Sequence, residues 1–176
     1  MIMQHRGEVL FDRNEIQAMV KKLGAVLTEE YRDKNLMVIS LLKGAFVFTA
    51  DLIREIKLPL VVEFMITSSY VDKSTKSTGF VNILQDVNRD ITSFDILIVD
   101  DIIDSGYTMK HVYDVLSSRG PRSIKTCTLL DKPIRRQTPF ECDYIGTSVD
   151  DHFIVGYGLN LGDYYRNEDH IFIYKE

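Results

Sequence analysis

The stretch Ile96-Leu97-Ile98-Val99-Asp100-Asp101-Ile102-Ile103-Asp104-Ser105-Gly106-Tyr107-Thr108 constrains this chain more than any other. Ile96 to Val99 is an apolar run, too short for a helix and bounded by polar residues, and it reads as a buried strand. Asp100 and Asp101 stand where that strand should end, and Asp104, Ser105, Gly106 and Thr108 follow. After Thr108 the pattern turns helical, with Val112, Val115 and Leu116 on one face. The order is therefore strand, acidic loop, helix start. Ser105, Gly106 and Thr108 are suited to wrapping a phosphate. Glycine lets backbone approach closely, the hydroxyls donate, and the N–H groups of a helix start face the anion. A phosphate site cannot itself be acidic, so Asp100 and Asp101 need another partner, for which a cis-diol or Mg²⁺ is suitable. A ribose phosphate carries both a phosphate and a diol.

This stretch closely resembles the phosphoribosyl-pyrophosphate signature of the type I phosphoribosyltransferases. There, an apolar strand, two acids, a short variable step, an acid, a small hydroxyl residue, Gly and a nearby Thr follow in fixed order. Two readings compete with it. One is a strand that simply ends in a solvated acidic turn. The other is the receiver domain of response regulators, whose first strand also ends in Val-Asp-Asp, with the acids holding Mg²⁺. That strand opens its domain, and too little of the chain remains after Ile96 to complete one.

A chain of 176 residues fits one domain, spanning 1–176, with a sizeable core. A net charge of −5 argues against nucleic acid as the main partner. No apolar run approaches membrane-spanning length, and the residues after Met1 lack a signal peptide's apolar stretch, so the expected compartment is the cytoplasm. Cys127 and Cys142 do not have metal-ligand spacing, and Cys127 reads as a small buried strand residue. The histidines are scattered, and surface positions are their default reading.

Asp12 to about Tyr31 reads as an amphipathic helix, with Ile16, Met19, Val20, Leu23, Leu27 and Tyr31 on one stripe and Asp12 with Glu15 as a capping box. Leu36 to Leu41 is a buried strand, Leu42-Lys43-Gly44 a turn, Ala45 to Ile56 a helix, and Leu60 to Ile66 a second strand. Strand Ile96–Val99, helix Met109–Ser118 and strand Ile124–Leu130 repeat the order. The pattern predicts a doubly wound α/β domain with a mainly parallel sheet and flanking helices, binding ligand at the carboxyl ends of the strands. Lys43 falls at that edge beside the acidic loop, where a pyrophosphate contact is the stronger reading over a solvated lysine. Thr67 to Gly79 is long and polar, as expected of a lid, and Phe80 to Leu84 resumes strand character.

Further motifs narrow the resemblance. Leu129-Leu130-Asp131-Lys132-Pro133, Phe153-Ile154-Val155-Gly156-Tyr157-Gly158-Leu159 and Asp163-Tyr164-Tyr165-Arg166-Asn167 join Leu42-Lys43-Gly44, Ser68-Ser69-Tyr70 and the acidic loop. Together, from about Glu8 to Ile173, they resemble the hypoxanthine (hypoxanthine–guanine) phosphoribosyltransferases of the short bacterial kind. The resemblance implies a type I phosphoribosyltransferase fold with a small hood formed by the N- and C-terminal segments. It implies phosphoribosyl pyrophosphate and a 6-oxopurine as partners, Mg²⁺ as cofactor, and a homodimer or homotetramer without nucleic acid or membrane.

The resemblance also implies roles. Lys43 and Gly44 would form a pyrophosphate loop entered by a cis peptide, and Ser69 and Tyr70 would close over it. Asp100 and Asp101 would lie under the ribose hydroxyls and Mg²⁺, and Asp104 would be the general base or acid at purine N7. Ser105, Gly106, Tyr107 and Thr108 would bind the 5′-phosphate. Lys132 would donate to the 6-oxo group, Phe153 would stack on the ring beside the Ile154 backbone, and Arg166 would contact pyrophosphate. A donor-only lysine suits a 6-oxo group and repels the amino group of adenine. The plainer readings are a core Phe153 and a solvated Lys132.

Three positions depart from the family pattern. Asp100 replaces a common Glu and Ser105 a common Thr, and both keep the chemistry. Asn160 replaces an Asp that helps hold a second Mg²⁺, so its hold on that ion is expected to be weak. Asp163 could take the role if Leu159 to Tyr164 made a helical turn. A different class of function, a regulator that keeps the fold and binds nucleotide to control RNA, would require a basic face that the composition does not suggest.

Overall fold

The computed structural model describes residues 7–69 and 81–175. In chain order the elements are β1 (Val9–Phe11), α1 (Arg13–Glu30), β2 (Leu36–Leu42), α2 (Phe46–Glu55), β3 (Val61–Ser69), β4 (Val81–Gln85), β5 (Asp95–Ile103), α3 (Tyr107–Ser117), β6 (Ser123–Asp131), a 3-10 turn (Pro133–Arg135), β7 (Tyr144–Ser148), β8 (Ile154–Val155) and β9 (Ile171–Ile173). Six strands form the main sheet in the order β4-β3-β2-β5-β6-β7. All neighbours pair parallel except β4, which returns antiparallel on β3.

The unbroken apolar runs of β2 and β5 are explained by burial on both faces. Leu97, Val99, Val38, Cys127 and Leu129 point toward α1 and α2, where Ile16, Leu23, Leu27, Phe48 and Leu52 close one core. Ile96, Ile98, Met37 and Ile39 point the other way, against Met109, Val112 and Leu116 of α3. Strand alternation thus assigns each neighbouring residue to a different core. The expected capping box sets the start of α1: Asp12 Oδ1 accepts from the Glu15 amide at 2.9 Å, and the Asp12 amide donates to Glu15 Oε2 at 2.8 Å. Inside the first core, Ser40 and Thr49 satisfy each other at 2.7 Å, fixing α2 on β2.

A second, three-stranded sheet, β1-β9-β8, is built from the two ends of the chain. It is the expected hood, and it sits beside the carboxyl ends of the main strands because β8 follows directly from the loop after β7. β5 does not end at Val99. It runs on through Asp100 and Asp101 to Ile103, since Asp100 still pairs with Thr128 and Ile103 with Asp131. The expected lid begins later than its polar composition implies, because Thr67 to Ser69 belong to β3. The rest of that segment lies outside the described residues.

Candidate active site

Three loops converge where β2, β5 and β8 end. The Leu42–Lys43 peptide is cis, and it delivers Gly44 against the acidic strand end. A Cβ on Gly44 would lie 2.0 Å from Asp101 Oδ2, so only a glycine admits this approach. The third loop closes on the same spot. Gly158, at φ +100°, leaves 2.2 Å between a notional Cβ and the Gly44 carbonyl oxygen. Arg166 Nη1 donates to the Gly158 carbonyl at 2.6 Å, which brings the arginine near Asp101.

Asp100 and Asp101 retain some solvent contact but are crowded by protein. Each accepts an amide of its successor: Asp101 N–H to Asp100 Oδ1 at 3.0 Å, and Ile102 N–H to Asp101 Oδ1 at 2.8 Å. Burial, then the neighbouring Asp101, pushes the Asp100 carboxyl well above the usual carboxylate range. Burial raises Asp101 too, against the lowering effects of its hydrogen bonds and of Arg166. A bound cation relieves this combination of desolvation and mutual repulsion. Adjacent hard oxygen donors suit Mg²⁺, which takes few protein carboxylates and completes its shell from a ligand. No cluster of three or more His, Cys, Asp or Glu that could hold a metal ion occurs among the described residues.

The loop from β5 to α3 follows. Gly106 takes φ +86° as the residue before α3, and it supplies no side-chain cap to the helix start. The Tyr107 amide reaches Ser105 Oγ at 3.4 Å, so the loop already turns around its own hydroxyl. First-turn N–H groups of an eleven-residue helix then point at whatever the loop encloses. From the far side, the Gln137 amide donates to the Ser105 carbonyl at 3.0 Å.

Beside this loop lies a cavity of about 240 Å³ lined by Ile102, Asp104, Lys132, Arg135, His152, Phe153, Ile154, Leu159 and Asn160. Asp104 Oδ1 is buried there with no hydrogen-bond partner among the described residues. A carboxylate left so at a cavity wall is positioned for a ligand's N–H. Lys132 is 6% exposed, and burial lowers the pKa of its ammonium. Its amide is anchored to the Ile103 carbonyl at 2.9 Å and its Nζ donates to the His152 carbonyl at 2.6 Å. Lys132 is therefore not a solvated strand-end lysine. Phe153 is not core either: it is 54% exposed at the cavity mouth, edge-on to Tyr174 at 6.1 Å. Arg135 pairs with Asp151 and brings Nη1 to 3.8 Å from Asp104 Oδ2.

Known proteins match this arrangement and its sequence. Residues 8–161 match the phosphoribosyl transferase domain family. The hypoxanthine phosphoribosyltransferase of Haemophilus influenzae is 43% identical over 96% of this chain and 95% of its own. The hypoxanthine-guanine phosphoribosyltransferase of Bacillus subtilis is 45% identical over 99% and 97%. The chain belongs to the phosphoribosyltransferase family. Among solved structures, a hypoxanthine phosphoribosyltransferase from Staphylococcus aureus superposes with a TM-score of 0.93 at 42% identity, over 97% of this chain and 92% of that one.

The phosphoribosyltransferase brings together Lys43, Gly44, Asp100, Asp101, Asp104 to Thr108, Lys132, Phe153, Ile154 and Arg166 at one sheet edge. Ser69 ends β3 at that edge, and Tyr70 lies outside the described residues. Asn160 lines the cavity, with its amide donating to the Gly162 carbonyl. The helical turn that would bring Asp163 near is not formed. Leu161 and Tyr164 pair antiparallel around Gly162 at φ +58°, which leaves Asp163 exposed at the tip of a tight turn. Sequence reasoning missed Arg135, Arg136 and His152. They follow strand ends in polar stretches, and only the fold separates them from ordinary solvated residues.

Proposed function

We infer that this phosphoribosyltransferase moves the 5-phosphoribosyl group from phosphoribosyl pyrophosphate to hypoxanthine, and to guanine, releasing IMP or GMP and pyrophosphate in purine salvage. The observation that carries the reading is the pair facing one cavity: a buried Lys132 ammonium, which can donate to a 6-oxo group, and the unpartnered Asp104 Oδ1. Purine N9 bonds C1′ as the bond from C1′ to pyrophosphate breaks, and Asp104 accepts the proton the ring releases at N7. Lys132 holds O6 and so fixes which ring nitrogen faces the ribose. Phe153, on the cavity rim, offers a stacking face. The 5′-phosphate is received by Ser105 to Thr108 and the start of α3. Lys43, Gly44 and Arg166 hold the departing pyrophosphate, with Ser69 and Tyr70 closing over it.

Asp100 and Asp101 would bind the ribose hydroxyls and hold Mg²⁺, with Asn160 contributing weakly toward a second ion. Bound there, Mg²⁺ neutralises charge on the leaving pyrophosphate. The enzyme acts in the cytoplasm as a homodimer or homotetramer. No helix among the described residues is long and apolar enough to cross a membrane.

Initial rates with hypoxanthine, guanine, xanthine and adenine, at saturating phosphoribosyl pyrophosphate and Mg²⁺, test the reading. Turnover of hypoxanthine and guanine with adenine inert is expected. Preference for adenine, or no nucleotide formed from any base, would overturn it.

A further inference from the structure

Arg136 does not line the cavity, yet it touches the phosphate loop and the strand beneath it. Its Nη1 donates to the Asp104 backbone carbonyl at 2.9 Å. Its Nη2 pairs with Asp131, whose side chain is 7% exposed, at the end of β6. Asp131 is itself fixed in the sheet, paired in register with Ile103 and bonded through its carbonyl to the Val149 amide at 2.8 Å. The aliphatic stem of Arg136 lies under Gly106, where a Cβ would come within 3.0 Å of Cδ. One residue on, the Gln137 amide holds the Ser105 carbonyl. The loop that carries Asp104 is thus gripped from behind at Asp104, Ser105 and Gly106, and the anchor of the grip is a partly buried ion pair.

We infer that Arg136 is a positioning residue for this reaction: through Asp131 it fixes the backbone of Asp104 to Gly106, so that the Asp104 carboxylate faces the base and the loop faces the 5′-phosphate. The inference rests on the phosphoribosyl-transfer reading above. A guanidinium is needed because one planar group must donate to a carbonyl and a carboxylate at once. Lysine supplies a single point charge and cannot span both acceptors in that geometry. Misplacing reacting groups by about 1 Å costs on the order of 10²-fold in rate. A brace of stability alone would lower the melting temperature and leave the constants of the folded enzyme unchanged.

The test compares wild type with Arg136→Gln, Arg136→Lys, Asp131→Asn and the Arg136→Gln/Asp131→Asn double variant. It measures kcat, KM for each substrate, and phosphoribosyl pyrophosphate affinity by calorimetry, all on soluble protein below its melting temperature. For Arg136→Gln, kcat is expected to fall by about tenfold or more and phosphoribosyl pyrophosphate binding to weaken, with KM for hypoxanthine nearly unchanged. Arg136→Lys should recover only part of the loss. Asp131→Asn, which keeps shape and leaves the arginine in place, should lower kcat in the same direction, and the double variant should be no worse than Arg136→Gln alone. Wild-type kcat in the single variants, a lower melting temperature with unchanged constants, or fully additive losses would overturn the inference. If Arg136→Gln does not fold, Asp131→Asn decides by the same criteria. A wild type that forms no nucleotide would count against the transfer reading instead, and calorimetry would still report whether Arg136 shapes the phosphate site.

Discussion

Lys132 Nζ donates to the His152 carbonyl oxygen at 2.6 Å, in the wall of the cavity that Asp104 also lines. This bond joins the end of β6 to the segment that leads into β8. The ammonium is therefore held in place before any base arrives, and it still has donors to offer.

Lys132→Met keeps the long apolar stem and removes the donor. The kcat/KM for hypoxanthine is expected to fall on the order of 10²-fold or more, because a 6-oxo group would be buried without its partner. Thermal stability should change little, with the loss of the His152 contact costing about 1 kcal/mol. Steady-state kinetics with a melting curve checks both, and an unchanged kcat/KM would remove Lys132 from base recognition.

Asp104→Asn tests the proton acceptor. The amide fills the same space but accepts no proton, so kcat should drop by roughly 10²–10⁴. Affinity for phosphoribosyl pyrophosphate should stay close to wild type, since the carboxylate lines the cavity shared with Lys132 and Phe153. A variant with full kcat would place the proton transfer elsewhere.

Gly44→Ala tests the close approach of the two loops. The new methyl would meet Asp101 Oδ2 at 2.0 Å, so the acid or the turn must shift. We expect KM for phosphoribosyl pyrophosphate to rise on the order of 10²-fold. Gly120→Ala is the control: its φ of +68° is strained for alanine, but nothing lies within 4 Å of the added Cβ. It should cost about 1–2 kcal/mol in urea unfolding and leave turnover unchanged. Equal kinetic effects of the two substitutions would mean that strain, rather than contact with Asp101, dominates.

The central elements were legible because each carries a local pattern. The capping box at Asp12 and Glu15, the two-faced apolar runs of β2 and β5, and the switch to helical spacing after Thr108 all report structure within a few residues. So did the acidic loop, whose residues are neighbours in sequence and join the end of β5 to the start of α3. The strand pairings of the hood were not legible. β1 pairs with β9 from the opposite end of the chain, and both are three residues long, too short for a period to register. Arg136 escaped for a related reason. Its partners Asp104, Asp131 and Gly106 belong to the loop after β5 and to β6, and only the parallel register of those strands brings them to one guanidinium. The turn after Asn160 was not legible because a helical step and a tight turn both fit Leu-Gly-Asp-Tyr, and Gly162 at positive φ selects the turn.

That turn favours one of the two outcomes proposed for a second Mg²⁺. Asp163 sits exposed at its tip, whereas Asn160 lines the cavity with its amide committed to the Gly162 carbonyl. What Asn160 can offer a cation is its uncharged side-chain oxygen, a weaker donor than a carboxylate. The wild type is therefore expected to need more Mg²⁺ than Asn160→Asp for half-maximal activity. The substitution carries its own cost. A carboxylate would face the Gly162 carbonyl without a proton to share, so stability should fall by about 1 kcal/mol in the absence of metal and recover when Mg²⁺ and pyrophosphate are added. Asp163→Asn should leave both the Mg²⁺ titration and the melting temperature near wild type. Titrating Mg²⁺ at fixed phosphoribosyl pyrophosphate, alongside melting curves with and without Mg²⁺ and pyrophosphate, separates the cases. A shifted curve in Asp163→Asn with none in Asn160→Asp would show that the turn opens to bring Asp163 to the metal during turnover.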